Sequence, residues 1–519
     1  MNTATYRIMG GDYENAGAAS KGLKEMLKRI GVDPRTVRRT MVAAYEAEMN
    51  VVIHARTGRM KVAVDPTQVD VVVTDEGPGI PDIELAMKEG YSTAPAIARE
   101  LGFGAGMGLP NIERNTDRFS IQSTAGQGTQ LRFTIFLQKQ EAAAVASNSV
   151  SVDPTLCRQC LACLQACPTA AVRVRGGKPQ ILDHLCVDCT SCLAACDARA
   201  LLMTFASELP ETSEATVLVL PASFLEQFGP NTSPDRVIKA LNQIGFTQVR
   251  LSNEWEDGLR SAVAQYAQEQ GRPRPVLSPT CPTVVNLVQA RFPSLMGHLA
   301  PFRTAIEAAR EELVAPHVAF VPVCPSQYTL LKEQSLITKI DLVSPSLLLH
   351  LVRARLAGHE RTVGHETVEA TEGQGVLQVS GMRHVMKVLD AVENRLMEDY
   401  PVLELYGCDQ GCFGSPVWIE DPFVARPRWT RRVGAPSSTA QSVRRTAPYR
   451  ARPGVRLDAD MAKAMEKLAG IDAITKGLPG RNCGVCGAPT CAALAEDVVL
   501  GRTDLSACPY RETTQGEQP

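Results

Sequence analysis

CRQCLACLQACP, residues 157–168, and CVDCTSCLAACD, residues 186–197, carry eight cysteines in two runs of one spacing, C-x2-C-x2-C-x3-C. Two runs so alike mark an internal duplication. Thiols this crowded read as metal ligands rather than as scattered core cysteines, because thiolate is a soft donor and four of them satisfy zinc or an iron–sulfur cluster. The other eight cysteines fall outside these runs, and all sixteen have to be placed.

The bulk properties bound the answer. The chain has 519 residues, is 44% hydrophobic and 21% charged, and has a formal net charge of -2. That is too long for one core, and about two to four domains are expected. The near-neutral balance supplies no basic field, so no nucleic-acid partner is expected. The opening stretch MNTATYRIMGGDYENAG lacks the basic-then-apolar pattern of a secretion signal, and no apolar run approaches the ~20 residues of a membrane span. A cytoplasmic location follows as an expectation. Disulfides are rare there, which again turns the cysteines towards metal.

The twin runs resemble bacterial two-cluster ferredoxins. In that pattern the fourth cysteine of each run ligates the other run's cubane. The resemblance therefore implies one 4Fe–4S cluster on Cys157, Cys160, Cys163 and Cys196, and a second on Cys186, Cys189, Cys192 and Cys167. Pro168 follows the first run as the pattern has it, whereas Asp197 replaces the second proline, a departure in turn geometry rather than ligation. Zinc is the other metal that four thiolates hold.

Four pieces of the first 140 residues fit one phosphate-binding design. KGLKEMLKRIGVDPRTVRRTMVAAYEAEMNVVIHA reads as two helices, the second starting at Asp33-Pro34. On it Glu46 and Asn50 stand four apart and share a face, a carboxylate to orient water or a hydroxyl and an amide oxygen to hold Mg2+. VVVTDEGPGI supplies Asp75 after a strand, with Gly77 and Gly79; GFGAGMGL supplies Gly102, Gly104, Gly106 and Gly108 before a helix; GQGTQLRF supplies Gly126, Gly128 and Thr129. In this order the pieces resemble the GHKL ATP-binding fold, closest to its anti-sigma-factor serine/threonine kinase branch. The resemblance implies Glu46 as base, Asn50 as Mg2+ ligand, Asp75 as adenine reader, the glycines from Gly102 to Gly108 as lid and phosphate loop, and Thr129 beside the nucleotide. His54, one turn after Asn50, reads as a packing residue.

Cys281, Cys324, Cys408 and Cys412 lie in SPTCP, FVPVCPSQ and ELYGCDQGCFGSP. Together these resemble the three cysteine motifs in the C-terminal domain of the iron-only hydrogenase large subunit. The resemblance implies a cubane on the four, with Cys412 at the position that bridges to a di-iron unit. The departures are specific. Thr280 stands where the family has a proton-relaying cysteine, Gln327 where it has a lysine, Tyr406 where it has a methionine, and the glycine-rich run after the last cysteine is cut to Phe413-Gly414-Ser415. A threonine hydroxyl hardly ionises, so losing relay and anchor together argues against hydrogen turnover. The expectation is a cubane-binding domain without the di-iron unit.

CGVCGAPTC and the later Cys508 place Cys483, Cys486, Cys491 and Cys508 at C-x2-C-x4-C-x16-C. This resembles the small four-cysteine iron–sulfur domain of electron-transfer subunits and corrinoid proteins. Gly484, Gly487 and Ala488 are expected to keep side chains clear of the cluster. Four cubanes then use every thiol.

The expected architecture is multidomain, α+β and α/β. It comprises a GHKL α/β sandwich at 1–140, a linker at 141–150, a ferredoxin-like dicluster module at 151–207, and a hydrogenase-like α/β domain at 208–424. An Arg/Pro-rich linker follows at 425–455, then a small helical iron–sulfur domain at 456–512. The expected cofactors are four 4Fe–4S clusters, ATP and Mg2+. The leading function is a redox-responsive regulator in anaerobic hydrogen or ferredoxin metabolism, with ATPase or serine/threonine kinase activity open to it. An ATP-gated electron-transfer subunit is the alternative, and an active hydrogenase a third. Expected partners are ferredoxin or a redox-enzyme subunit, a phosphorylatable regulatory protein, and a second copy in a homodimer.

Overall fold

The structure, a computed structural model, describes residues 2–95, 98–99, 104–137, 149–203, 209–211, 216–313, 317–335, 340–356, 376–433, 443–452 and 455–511. Strands β1 (Asn2–Met9), β2 (Thr57–Val64), β3 (Gln68–Asp75), β4 (Arg118–Thr124) and β5 (Gly128–Phe136) form an antiparallel sheet in the order β1-β2-β3-β5-β4. Alternation sets its faces: in β2, Met60, Val62 and Val64 are buried while Arg59 and Lys61 face out. The Ala18–Arg29 and Pro34–His54 helices cover the apolar face with Leu23, Leu27, Met41 and Val51. The longer helix starts where the sequence places it. Asp33 Oδ1 accepts from the N–H groups of Arg35 and Thr36, each at 3.0 Å, and Pro34 takes the first turn.

The duplicated segment is a two-fold repeat. Each cysteine of the second run lies 29 residues after its counterpart, and so does the Ser191–Ala194 helix after Ala162–Ala166 in its starting residue. Strand β6 (Val150–Val152) pairs with β9 (Leu201–Met203), and β7 (Val172–Arg175) with β8 (Lys178–Ile181).

Two parallel sheets follow. One has the order β11-β10-β13-β14, from β10 (Thr216–Leu220), β11 (Gln248–Leu251), β13 (His317–Phe320) and β14 (Ile340–Leu342). The other has the order β12-β16-β15, from β12 (Val276–Leu277), β15 (Val376–Ser380) and β16 (Val402–Tyr406). β10 reads TVLVL and is buried throughout, as a strand covered on both faces must be. Cys281, Cys324 and the Cys408/Cys412 pair follow the carboxyl ends of β12, β13 and β16, the edge at which open parallel sheets hold ligands.

The Met461–Lys476 and Cys491–Val499 helices close the described chain, and they do not stand apart. Ala464, Met465, Leu468 and Ile471 belong to the same buried cluster as Ile8, Leu23 and Leu27. Asn2 Nδ2 donates to the Met465 carbonyl at 3.1 Å. The stretch expected as a linker at 425–455 also differs from a solvated tether. The Pro422–Val433 helix occupies its start, and Arg428 and Arg432 pair with buried Glu226 at 3.5 and 2.9 Å. Tyr449 donates to the Phe302 carbonyl at 2.7 Å. The buried carboxylate explains the docking, since it needs cationic partners. Residues 434–442 and 453–454, most of the 141–150 linker and Gly102 lie outside the described residues. Among the described residues, no helix is long and apolar enough to cross a membrane.

Candidate nucleotide pocket and cysteine sites

A cavity of about 550 Å³ opens beside the Pro34–His54 helix, within the usual size of small-molecule sites. Glu46, Asn50, Asp75, Gly79, Gly104, Gly106, Gly108 and Thr129 all line it. Gly77 does not, but its N–H donates to Asp75 Oδ1 at 2.8 Å, as the Thr129 N–H does at 3.3 Å. Burial pushes the Asp75 carboxyl above its ordinary range, and those two amides oppose the rise. His54 also lines the cavity, its imidazole held below the usual value by burial. The packing role expected for it becomes a wall position.

The two glutamates of YEAEMN separate cleanly. Glu48 is 2% exposed, and its carboxylate accepts from the N–H groups of Gly17, Ala19 and Ser20 at 3.1, 3.0 and 2.9 Å, capping the first helix. Glu46 faces the cavity, where Asn111 Nδ2 donates to its Oε1 at 2.7 Å. A Cβ at Gly108 would come within 3.3 Å of Asn50 and 3.4 Å of Glu46, so the missing side chain keeps the corner between them open. Gly106 has φ 72°, and a Cβ there would collide with the Gly90 backbone at 2.4 Å. The Gly108–Asn115 helix starts at this corner without a side-chain cap, and Met107, Gly108 and Leu109 line the cavity, so its first turn is placed to receive an anion. These groups fit an adenine nucleotide with Mg2+: a carboxylate for an amine, amides for phosphate, an amide oxygen for the cation.

The cysteines of the two runs gather in two groups. Burial raises the Cys163 thiol, and Cys160, Cys196 and Cys157 raise it further by proximity. Those four ring a single small cavity. Burial likewise raises Cys192, with Cys189 and Cys167 adding to it; Cys189 is pushed up to about 11, and Cys186 rises with Cys189 and Cys192 nearby. Left-handed non-glycine residues recur at matched places: Gln159, Leu161 and Ala170 at φ 56°, 63° and 55°, and Asp188, Thr190 and Arg199 at 55°, 66° and 52°. Such turns aim consecutive amides inward. Ala171 and Ala200 donate to Cys167 and Cys196 sulfur, each at 3.2 Å. Amides aimed at thiolates are what a cubane's negative charge requires, so the fit holds.

Cys281, Cys324, Cys408 and Cys412 also meet. Burial raises Cys408 to about 12, with Cys281 next in effect, and Cys412 rises with Cys324, Cys281 and Cys408 beside it. Buried thiols without countercharge stay protonated; a bound metal deprotonates them. Thr280, Gln327, Tyr406 and Cys412 line one cavity of about 20 Å³, room for about one water. Gln327 Oε1 accepts from the Val323 N–H at 3.0 Å, and Tyr406 donates to Glu404 at 2.6 Å. Glu404 in turn binds Arg260 at 2.9 Å. The four thiols fit a cubane, whereas the cavity does not fit a di-iron unit with its diatomic ligands.

In the C-terminal site, burial raises Cys486, with Cys508 and Cys483 adding to it, and Cys491 packs on the same core as Cys508. Gly484 and Gly487 also serve a contact that the sequence did not announce. Gly487, at φ 76°, would drive a Cβ into the Val174 carbonyl at 1.8 Å, and a Cβ on Gly484 would meet Leu164 at 3.2 Å. These glycines dock the module on the dicluster repeat, where the Val174 N–H donates to the Gly487 carbonyl at 2.8 Å. Asp497, fully buried, fixes the contact through Arg173 at 2.6 Å.

The four cysteine sites adjoin in series. Leu164 touches the C-terminal module and flanks Cys163; Cys163 and Cys192 interact across the repeat; Cys189 interacts with Cys408, and Thr190 Oγ1 lies 3.8 Å from Cys408 sulfur. Among the described residues, no three His, Cys, Asp or Glu side chains are grouped to hold a single metal ion.

Comparison with known proteins gives four family matches in chain order. They are a histidine kinase-like ATPase domain at 11–135, a 4Fe-4S dicluster domain at 149–197, the C-terminal domain of the iron only hydrogenase large subunit at 214–311 and an Fe-S cluster family at 478–510. The serine/threonine-protein kinase RsbT of Bacillus subtilis is 30% identical over 113 residues, 21% of this chain and 79% of the kinase. The chain belongs to the histidine kinase-like ATPase family. An anti-sigma F factor of Pasteuria penetrans is 37% identical over 109 residues, 20% of this chain and 69% of that protein. An apo FeFe-hydrogenase from Chlamydomonas reinhardtii aligns at 11% identity and TM-score 0.35, over 50% of this chain and 91% of that one. This member of the ATPase family thus carries iron–sulfur and hydrogenase-like segments behind its nucleotide fold. The hydrogenase match contains Cys281 and ends before Cys324.

Proposed function

We propose that the chain is an ATP-binding, multi-cluster iron–sulfur regulator whose nucleotide pocket responds to electrons held on its cysteine sites. The observation that carries this reading is the series of four cysteine sites ending beside Thr280, Gln327 and Tyr406. A hydrogenase-like site without relay, anchor or room for a di-iron unit is a place where electrons rest rather than make hydrogen. Bound clusters supply one-electron storage and transfer. The chain's own residues do the rest. Backbone amides hold the thiolates, Asn50 holds Mg2+, Asp75 reads the base, and Glu46, oriented by Asn111, takes a proton from a hydroxyl or a water. Transfer to a regulatory protein is supported by kinship with a serine/threonine-protein kinase. Ferredoxin or a redox-enzyme subunit would supply the electrons, and a homodimer and a cytoplasmic location belong to the same reading.

The series of sites also favours a second reading, an electron-transfer subunit whose flow ATP gates. ATP turnover by the anaerobically reconstituted chain, oxidised against dithionite-reduced, separates the two. A several-fold difference that Asn50→Ala abolishes supports regulation. Equal rates in both redox states support the second reading.

A further inference from the structure

The wall of the nucleotide cavity includes one residue from far outside the first 140, Leu396. It follows the Met382–Glu393 helix, whose Met382, Val385 and Leu389 share a buried cluster with Leu403 and Leu405 of β16, the strand that leads to Cys408 and Cys412. Its backbone makes a standard helix stop. The Leu396 N–H donates to the Ala391 carbonyl at 2.9 Å and the Arg395 N–H to Val392 at 3.1 Å, with Arg395 left-handed at φ 60°. The apolar residue after such a stop ordinarily folds back on its own helix. Leu396 is instead 59% exposed and lines the pocket with Glu46 and Asn50.

The helix is fixed at both ends. At the pocket end, buried Lys24 and Lys28 of the first helix pair with buried Glu393, Lys28 at 3.6 Å, and Lys28 Nζ donates to the Arg291 carbonyl at 2.5 Å. Lys21 and Lys24 reach Asp390 at 3.8 and 3.9 Å. At the other end, the Gly381 N–H donates to the Tyr406 carbonyl at 3.1 Å, and the Gln410 N–H to Ser380 Oγ at 3.4 Å. Its 12 residues span about 18 Å.

We infer that the hydrogenase-like region completes the nucleotide site: Leu396 is a binding residue for the adenine nucleotide, and the Met382–Glu393 helix links that residue to the Cys408–Cys412 loop. The inference rests on the reading of the cavity as a nucleotide site. A rigid helix tied to both places carries a displacement of the loop to the wall, and nucleotide affinity and loop position then depend on each other.

The test uses the full-length chain, reconstituted anaerobically and titrated with MgAMP-PNP. Leu396→Ala and Leu396→Glu sit on an exposed position and leave the fold intact. Asn50→Ala is the control for the cavity itself. Leu396→Ala is expected to raise Kd about fivefold, the order set by removing apolar contact surface, and Leu396→Glu to raise it further by facing phosphate with charge. Amide exchange at 394–400 is expected to slow when nucleotide binds the wild type. Wild-type Kd in both Leu396 variants, with Asn50→Ala defective, overturns this inference and leaves the nucleotide site standing. A wild type that takes up no MgAMP-PNP overturns the nucleotide reading and this inference with it.

Discussion

Asn111 and Glu48 show how single side chains divide labour around one helix. Asn111→Ala leaves Glu46 unoriented, and ATP turnover should fall about tenfold or more while the melting temperature stays put. Glu48→Ala should do the reverse first. It strips three amides of their acceptor in a buried place, and a denaturant titration should show a loss of about 2–4 kcal/mol. The sequence made Glu46, Asn50, Asp75 and the cavity-wall glycines Gly79, Gly104, Gly106 and Gly108 legible as neighbours, because each belongs to a short motif whose spacing has a mechanical meaning. Asn111 carried no such signal: it lies 65 residues from Glu46, and only the folded chain brings them together. Leu396 was hidden for the same reason.

Elements were easier to read than their contacts. Asp33-Pro34 announced a helix start, strand alternation announced the first sheet, and the repeated cysteine spacing announced a two-fold unit. The docking of helix on helix was not legible, since Lys24 and Glu393 are 369 residues apart and each looks like a surface charge in its own sequence neighbourhood. A buried pair of this kind resists loss of one partner more than loss of both. Lys24→Ala is therefore expected to cost about 3 kcal/mol, and Lys24→Ala with Glu393→Ala less than the sum of the single changes, measured as a double-mutant cycle. Additive values would mean that the two side chains do not interact. Between the dicluster repeat and the C-terminal module, Asp497→Asn removes the charge that Arg173 and Arg502 share, at 2.6 and 3.3 Å. Limited proteolysis should then cut the C-terminal module sooner than in the wild type.

For the molecule as a whole, the first sheet and the C-terminal helices share one core, so the nucleotide cavity and the C-terminal cysteine site stand on a common support. A metal held by Cys483, Cys486, Cys491 and Cys508 would pin the turn between those helices to the segment after the second, and its binding energy would then be folding energy for the neighbouring sheet as well. Anaerobic treatment with an iron chelator, or Cys508→Ser, should lower the melting temperature of the nucleotide region itself, read by loss of nucleotide-dependent stabilisation; an unchanged melt would show that the two fold independently. The same junction has a consequence for synthesis. Strand β1 and the Met461–Lys476 helix that covers it are separated by about 450 residues, roughly 20–90 s of ribosome time. Through that interval each nascent chain holds a patch of its first domain uncovered, so the load on chaperones should rise with slower translation.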